Sequence, residues 1–107
     1  MDPLGNVLSA IADPTRRALV DRLARGPARV TDLAQPFDMS LAAVSKHLKV
    51  LESAGLVRRE RHGREHVLSL DPAPLGEAAR WLDHHTRYWT DRLDRLEAFF
   101  TPERKPK

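Results

Sequence analysis

Ser45, Lys46 and Lys49, with Leu41 and Ala42 beside them, form the most chemically pointed cluster in this 107-residue chain. They lie in SLAAVSKHLKVLESAGL, residues 40–56. At 100° per residue, Ala42, Ser45, Lys46 and Lys49 share one side of a helix, and no carboxylate follows until Glu52. Such a small, hydroxylic, cationic face suits the floor of a DNA groove. Leu41 and Ala42 can meet thymine methyls, Ser45 can donate or accept, and Lys46 can reach guanine O6 and N7. Lys49 is placed for the backbone, and Ser40 with the helix N-terminus can take a phosphate. A merely solvated helix face would show the same residues, so the flanks must decide.

The elements that would hold this face are legible on both sides. The spacing predicts a helix over 40–54, with Ser40 as N-cap and Gly55 as its stop. Val44, Leu48 and Leu51 give it an apolar stripe; His47, at the edge of that stripe, suits a structural hydrogen bond better than a base contact. Before it, residues 30–35 read as a short helix with Leu33 and Ala34 inward, ended by Pro36. Phe37-Asp38-Met39 then makes a tight connection, with Asp38 where a left-handed conformation is often needed. Short helix, turn and second helix have helix-turn-helix spacing. After Gly55 the period changes from helical to two. LVRRERHGREHVLSL predicts strands 56–61 and 64–70 around a His62-Gly63 turn, with Val57, Leu68 and Leu70 inward. Arg58, Arg59, Arg61 and Arg64 project outward, so 56–70 reads as a basic wing in which Arg59, Arg61 and Arg64 would grip phosphates or enter the minor groove. A hairpin edge protected by charge is the plainer reading.

Further out, Leu4, Val7, Leu8 and Ile11 predict a helix over 3–12. Asp13-Pro14 restarts the chain as N-cap and first helical residue, and Leu19, Val20 and Leu23 continue it to Gly26-Pro27. Arg16 and Arg17 fall in a first turn, where the macrodipole disfavours cations. Surface pairing, with Arg17–Asp21 as the obvious couple, competes there with phosphate contact. Asp71-Pro72 opens the longest element, 73–100, about 42 Å at 1.5 Å per residue. Leu75, Ala79, Leu82, Thr86, Trp89, Leu93, Leu96 and Phe100 step along it as a heptad-like seam, and Trp81, Tyr88 and Phe99 make a second stripe. One stripe is expected on the chain's own core and the other on a second subunit; the pattern leaves open which. Leu4, Leu8, Leu82, Trp89, Leu93, Leu96 and Phe100 are the interface candidates. Residues 1–100 are expected to form one domain, with 3–12 and 73–100 as dimerisation helices, and 101–107 a disordered tail.

Composition narrows the classes. Without cysteine there are neither disulfides nor thiolate metal sites. No apolar run approaches a membrane span, and MDPLGNV lacks the regions of a signal peptide, so the expected compartment is the cytoplasm with no membrane partner. Net charge is only +3, but residues 40–66 carry six Lys/Arg against three Glu. The surplus sits where the groove-reading helix and wing are expected. No glycine-rich phosphate loop, nucleophile elbow or acid/base pair suggests an enzyme or a bound cofactor.

DPTRRALVDRLARGP, followed by VTDLAQPFDMSLAAVSKHLKVLESAGLVRRERHGREHVLSL, closely resembles the ArsR family of bacterial transcriptional repressors across residues 4–70. The run S-x-x-x-V-S-x-H-L-x-x-L-x-x-A-G-L-V, from Ser40 to Val57, is its most specific part. The resemblance implies a mainly α winged helix-turn-helix with a two-stranded β-hairpin wing and a long C-terminal dimerisation helix. It also implies a homodimer that binds a palindromic operator in double-stranded DNA and leaves it on receiving a signal. The family's cysteine-based metal site falls on Arg29-Val30-Thr31-Asp32-Leu33, which lack its ligands. Its terminal-helix site finds a first half in Asp83-His84-His85, but Leu96 and Phe99 stand where the second His and carboxylate belong. No metal ligand set is therefore assigned, and the small-molecule effector is unknown. The alternatives are a winged-helix dimer acting as a protein-interaction module, or a metal-responsive repressor.

Overall fold

A computed structural model describes residues 2–100, with the side chains of 89, 90, 92, 93 and 96–100 excepted. Short polar caps set where two of its helices begin. After α1 (Pro3–Ala10), α2 (Pro14–Leu23) opens on Asp13, whose carboxylate accepts from the Arg16 N–H at 3.0 Å. That bond holds the Asp13 carboxyl below its ordinary range, an effect reinforced by nearby positive charge. A two-residue strand β1 (Ala28–Arg29) leads into α3 (Val30–Ala34). Ser40 Oγ then accepts from the Ala43 N–H at 3.1 Å to start α4 (Leu41–Ser53).

The end of α4 is equally specified. Gly55 takes φ +78°, its N–H donates to the Glu52 carbonyl at 3.0 Å, and the Leu56 N–H reaches back to Leu51 O at 3.0 Å. This is the paired closure of a Schellman motif, and its hydrophobic partners Leu51 and Leu56 are both fully buried. Strands β2 (Val57–His62) and β3 (Glu65–Leu70) follow, then α5 (Ala73–Phe100).

The core gathers Val7 and Ala10 of α1, Leu19, Val20 and Leu23 of α2, Leu33 of α3, and Val44, Leu48 and Leu51 of α4 against Val57 and Leu68 of the sheet. The α4 stripe is completely covered, because α1, α2, α3 and β2 all pack on that helix. The two-stranded wing expected from the sequence is part of a three-stranded antiparallel sheet ordered β1-β3-β2, with Ala28 opposite Leu68 and Arg29 opposite Val67. Two residues are too short to show a period, so β1 leaves no pattern to read.

Five local expectations are corrected. The hairpin turn is Gly63-Arg64, not His62-Gly63: His62 pairs with Glu65, and Gly63 takes φ +65° as the first loop residue. Asp38 does not adopt a left-handed conformation; among the described residues only glycines have positive φ. Helix α1 ends at Ala10 rather than near residue 12, and Arg17 turns to the carbonyls there instead of pairing with Asp21. On α5 the residue that enters the core is Ala78, one step off the expected seam, while Ala79 is exposed. Leu75 and Ala78 pack because α1 is the element alongside the start of α5. Beyond them Trp81, Leu82 and Tyr88 are 44%, 43% and 48% exposed. The long helix makes the molecule elongated, 65 × 29 × 24 Å. Trp89, Leu93, Leu96, Phe99 and Phe100, and the expected tail over 101–107, lie outside the described side chains and residues.

Candidate nucleic-acid interface

Burying Val44, Leu48 and Leu51 turns the other side of α4 outward. Ser40, Leu41, Ala42, Lys46 and Lys49 are exposed and Ser45 is half-buried at the flank. Lys46 and Lys49 make no hydrogen bond or ion pair among the described residues, so their charge is available to a partner.

The wing cations divide into held and free. Strand alternation places Arg59 and Arg61 on the same sheet face as Val57, opposite Leu68 and His66. Arg59 donates to both carboxylate oxygens of Glu52, at 3.1 and 2.8 Å, and so clamps the base of the wing to the end of α4. Donation to the Glu52 carboxylate holds the Arg59 guanidinium more firmly protonated than usual. Arg59, expected among the phosphate contacts, is thus engaged within the chain. Among the described residues, Arg61 donates only to the Gly63 carbonyl, at 2.9 Å, and Arg64 is exposed without an ion pair. On the outer face, Arg58 bonds Asp71 at 3.0 Å.

Sequence reading missed a second clamp. Arg29 donates to Asp32 at 3.0 and 3.1 Å and to Glu65 at 2.6 Å, tying α3 to the far strand of the wing. These bonds, Asp32's first, raise the guanidinium's affinity for its proton and lower that of the Asp32 carboxyl. Arg29 and Glu65 are 36 residues apart, and the strand β1 that aligns them has no sequence period. Between the clamps lies a cleft of about 340 Å³ lined by Leu41 and Ser45 of α4, Val30 and Thr31 of α3, Arg59, Arg64 and His66 of the wing, and the paired Arg29 and Glu65. It combines hydroxyls, cations and an apolar floor on one side of the molecule, the chemistry of a groove for a sugar–phosphate strand.

Arg16 and Arg17 take up neither role expected of them. Arg16 Nε donates to Ala10 O at 2.6 Å and Arg16 Nη2 to Ser9 O at 3.2 Å. Arg17 Nη1 donates to Ile11 O and Ala12 O at 2.7 and 3.0 Å. The two cations sit at the positive end of α2 but cover the negative, carbonyl end of α1, which explains their place in a first turn. Arg16 Nη1 also lies 3.3 Å from Nδ1 of His47, giving that histidine the structural bond its position suggests.

A short helix, a turn, an outward cationic helix and a clamped basic hairpin thus follow one another around one core. A helix-turn-helix domain model matches residues 11–60, the segment from α2 into β2. The chain is 48% identical over 84 residues to the HTH-type transcriptional regulator Rv2034 of Mycobacterium tuberculosis, covering 78% of this chain and 76% of that protein. It is 34% identical to the transcriptional repressor SdpR of Bacillus subtilis, over 74% of this chain and 88% of that one. A crystal structure of an ArsR family transcriptional regulator, RHA00566, superposes with TM-score 0.77 at 39% identity, covering 83% of this chain and 98% of its own. This chain belongs to the ArsR family. It is a winged helix-turn-helix, DNA-binding transcriptional regulator and not an enzyme. A further ArsR-like structure, from Mycobacterium bovis, is described as the homodimeric winged helix-turn-helix DNA-binding domain Mb0332; it aligns at TM-score 0.63 and 26% identity over 88% of this chain and 84% of that one.

Within that family frame, the terminal-helix metal position holds Asp83, His84 and His85. Asp83 pairs with Arg87 at 3.4 Å, and His85 stacks on Trp81 with ring centroids 4.3 Å apart. Among the described residues, no three His, Cys, Asp or Glu side chains gather as a metal site. No described helix is long and apolar enough to cross a membrane.

Proposed function

We propose that the chain acts as a homodimeric repressor, each subunit laying α4 in a major groove of a palindromic operator and resting its wing on the flanking backbone. The observation that carries this reading is the division of cations. Among the described residues, Lys46, Lys49, Arg61 and Arg64 of α4 and the wing have no carboxylate partner, whereas Arg29, Arg58 and Arg59 are paired. Ser40 and the start of α4 face phosphate; Leu41, Ala42, Ser45 and Lys46 read base edges; Lys49, Arg61 and Arg64 hold the backbone. Arg59 acts by fixing the wing to α4.

The second subunit is the occupant proposed for the α1–α5 face. Trp81, Leu82 and Tyr88 are exposed there beside half-buried Leu4 and Leu8, and a groove of about 320 Å³ lined by Leu4, Val7, Ala78 and Trp81 adjoins them. So much apolar surface on one element is the mark of an interface, and Mb0332 is described as homodimeric. Two α4 helices presented by such a dimer meet half-sites about 34 Å apart. Residues 1–100 would act as one domain, joined to its copy through α1 and α5.

Selection of bound duplexes from a random pool, with mass measurement of the complex, tests the proposal. A palindrome bound by two chains supports it; a sequence-independent complex, or a monomer on a single half-site, overturns it.

A further inference from the structure

Helix α4 sits on α1 and α2 through Val44, Leu48 and Leu51; that stripe decides which side of α4 faces outward, but apolar contacts are non-directional and leave its fine angle to polar ties. Directional ties come from polar contacts at two points. Glu52 anchors the end of α4 to the wing through Arg59, and His47 anchors its middle to Arg16 of α2.

The second tie has a specific chemistry. A guanidinium can only donate, so His47 Nδ1, 3.3 Å from Arg16 Nη1, must accept with its lone pair. Asp13 Oδ2 lies 3.8 Å from the same nitrogen, too far to hold a proton on it by hydrogen bonding. The Arg16 side chain is itself immobilised, because its Nε and Nη2 close the Ala10 and Ser9 carbonyls of α1. Helix α1 in turn packs on α5. One guanidinium thus joins α2, the α1–α5 arm and the middle of the DNA-facing helix.

We infer that Arg16 and His47 are a positioning pair that sets the angle at which α4 meets DNA. The inference rests on α4 being the groove-reading helix. Base readout tolerates errors of only about 10–20° in such an element, so loss of the pair degrades discrimination before it degrades non-specific attraction. His47 is turned toward α2 rather than standing among Ala42, Lys46 and Lys49, so it acts through helix placement and not by phosphate contact.

The test compares full-length dimers on a duplex recovered by selection and on a scrambled duplex. Arg16→Lys keeps the charge but loses the fork; His47→Leu removes the acceptor; His47→Asn returns an acceptor close to the Nδ1 position. Arg16→Lys and His47→Leu are each expected to weaken selected-duplex binding by about tenfold relative to the scrambled one, with an unchanged salt slope. The double variant should be no weaker than either single one, and His47→Asn should recover most of the affinity. Equal losses on both duplexes, additive losses, or a slope reduced by about one unit would overturn the inference. If Arg16→Lys does not fold, His47→Leu against His47→Asn carries the same test from α4. Lys46→Ala separates the two levels: no loss with that variant sinks the reading of α4 itself. A loss with Lys46→Ala but none with Arg16→Lys or His47→Leu sinks the positioning pair alone.

Discussion

Helices α4 and α5 both carry apolar stripes, but the fold treats them differently. On α4, Val44, Leu48 and Leu51 are fully buried, and both ends are closed by local hydrogen bonds. On α5, Ala78 is buried and Leu75 half-buried, while Trp81, Leu82 and Tyr88 remain open. The helix proposed to face DNA is completed by its own chain. The arm is left incomplete, and a second copy would complete it. The contrast separates two failures: a defect under α4 costs the fold, whereas a defect on the outer face of α5 costs assembly.

The largest expected effect attacks that contrast directly. Leu48→Ala, at the centre of the covered stripe, should destabilise the protein by about 2–5 kcal/mol, read as a lower urea midpoint; a near-neutral result would mean that α4 is not held by its own core. The combined Trp81→Ala and Leu82→Ala variant should instead keep its helical circular dichroism while sedimenting as a monomer at micromolar concentration, since exposed aromatic anchors dominate interfaces. Unaltered self-association would move the interface off this face. Lys46→Ala should leave both stability and dimer intact and cost about 1–3 kcal/mol of specific DNA binding, measured by gel-shift titration. Smallest in stability terms is Arg61→Ala with Arg64→Ala, which should flatten the slope of log affinity against log salt by about two units. Arg59→Ala supplies the counterpart: with Glu52 as its partner, it should loosen the wing, seen as faster amide exchange in β2 and β3, while removing less of the slope. A slope change from Arg59→Ala as large as that of the double variant would show that the Glu52 clamp opens on DNA.

How far the sequence reached follows the range of the interactions involved. Caps at Asp13 and Ser40 and the stop at Gly55 were legible because each depends on residues within one helical turn. The hairpin was legible as an element but its turn was read one residue early. Gly63 can occupy either loop position, and pairing of His62 with Glu65 decides between them. Ala78 was missed as the core residue of α5 because Ala79 fits the heptad equally well, and only the position of α1 distinguishes the two. The sequence grouped Arg59 with Arg61 and Arg64 as wing cations for phosphate, and offered no partner for Arg29.

The order of elements, their caps and the outward face of α4 were written in the chain itself, since they depend on local backbone preference and on the periods of apolar residues. Tertiary structure alone decided which charges remain for a partner. Arg59 finds Glu52 seven residues away, Arg16 finds His47 across 31, and Arg29 finds Glu65 across 36. No periodicity links such pairs; only the packed core brings them within hydrogen-bond reach and leaves Lys46, Lys49 and Arg64 outside it.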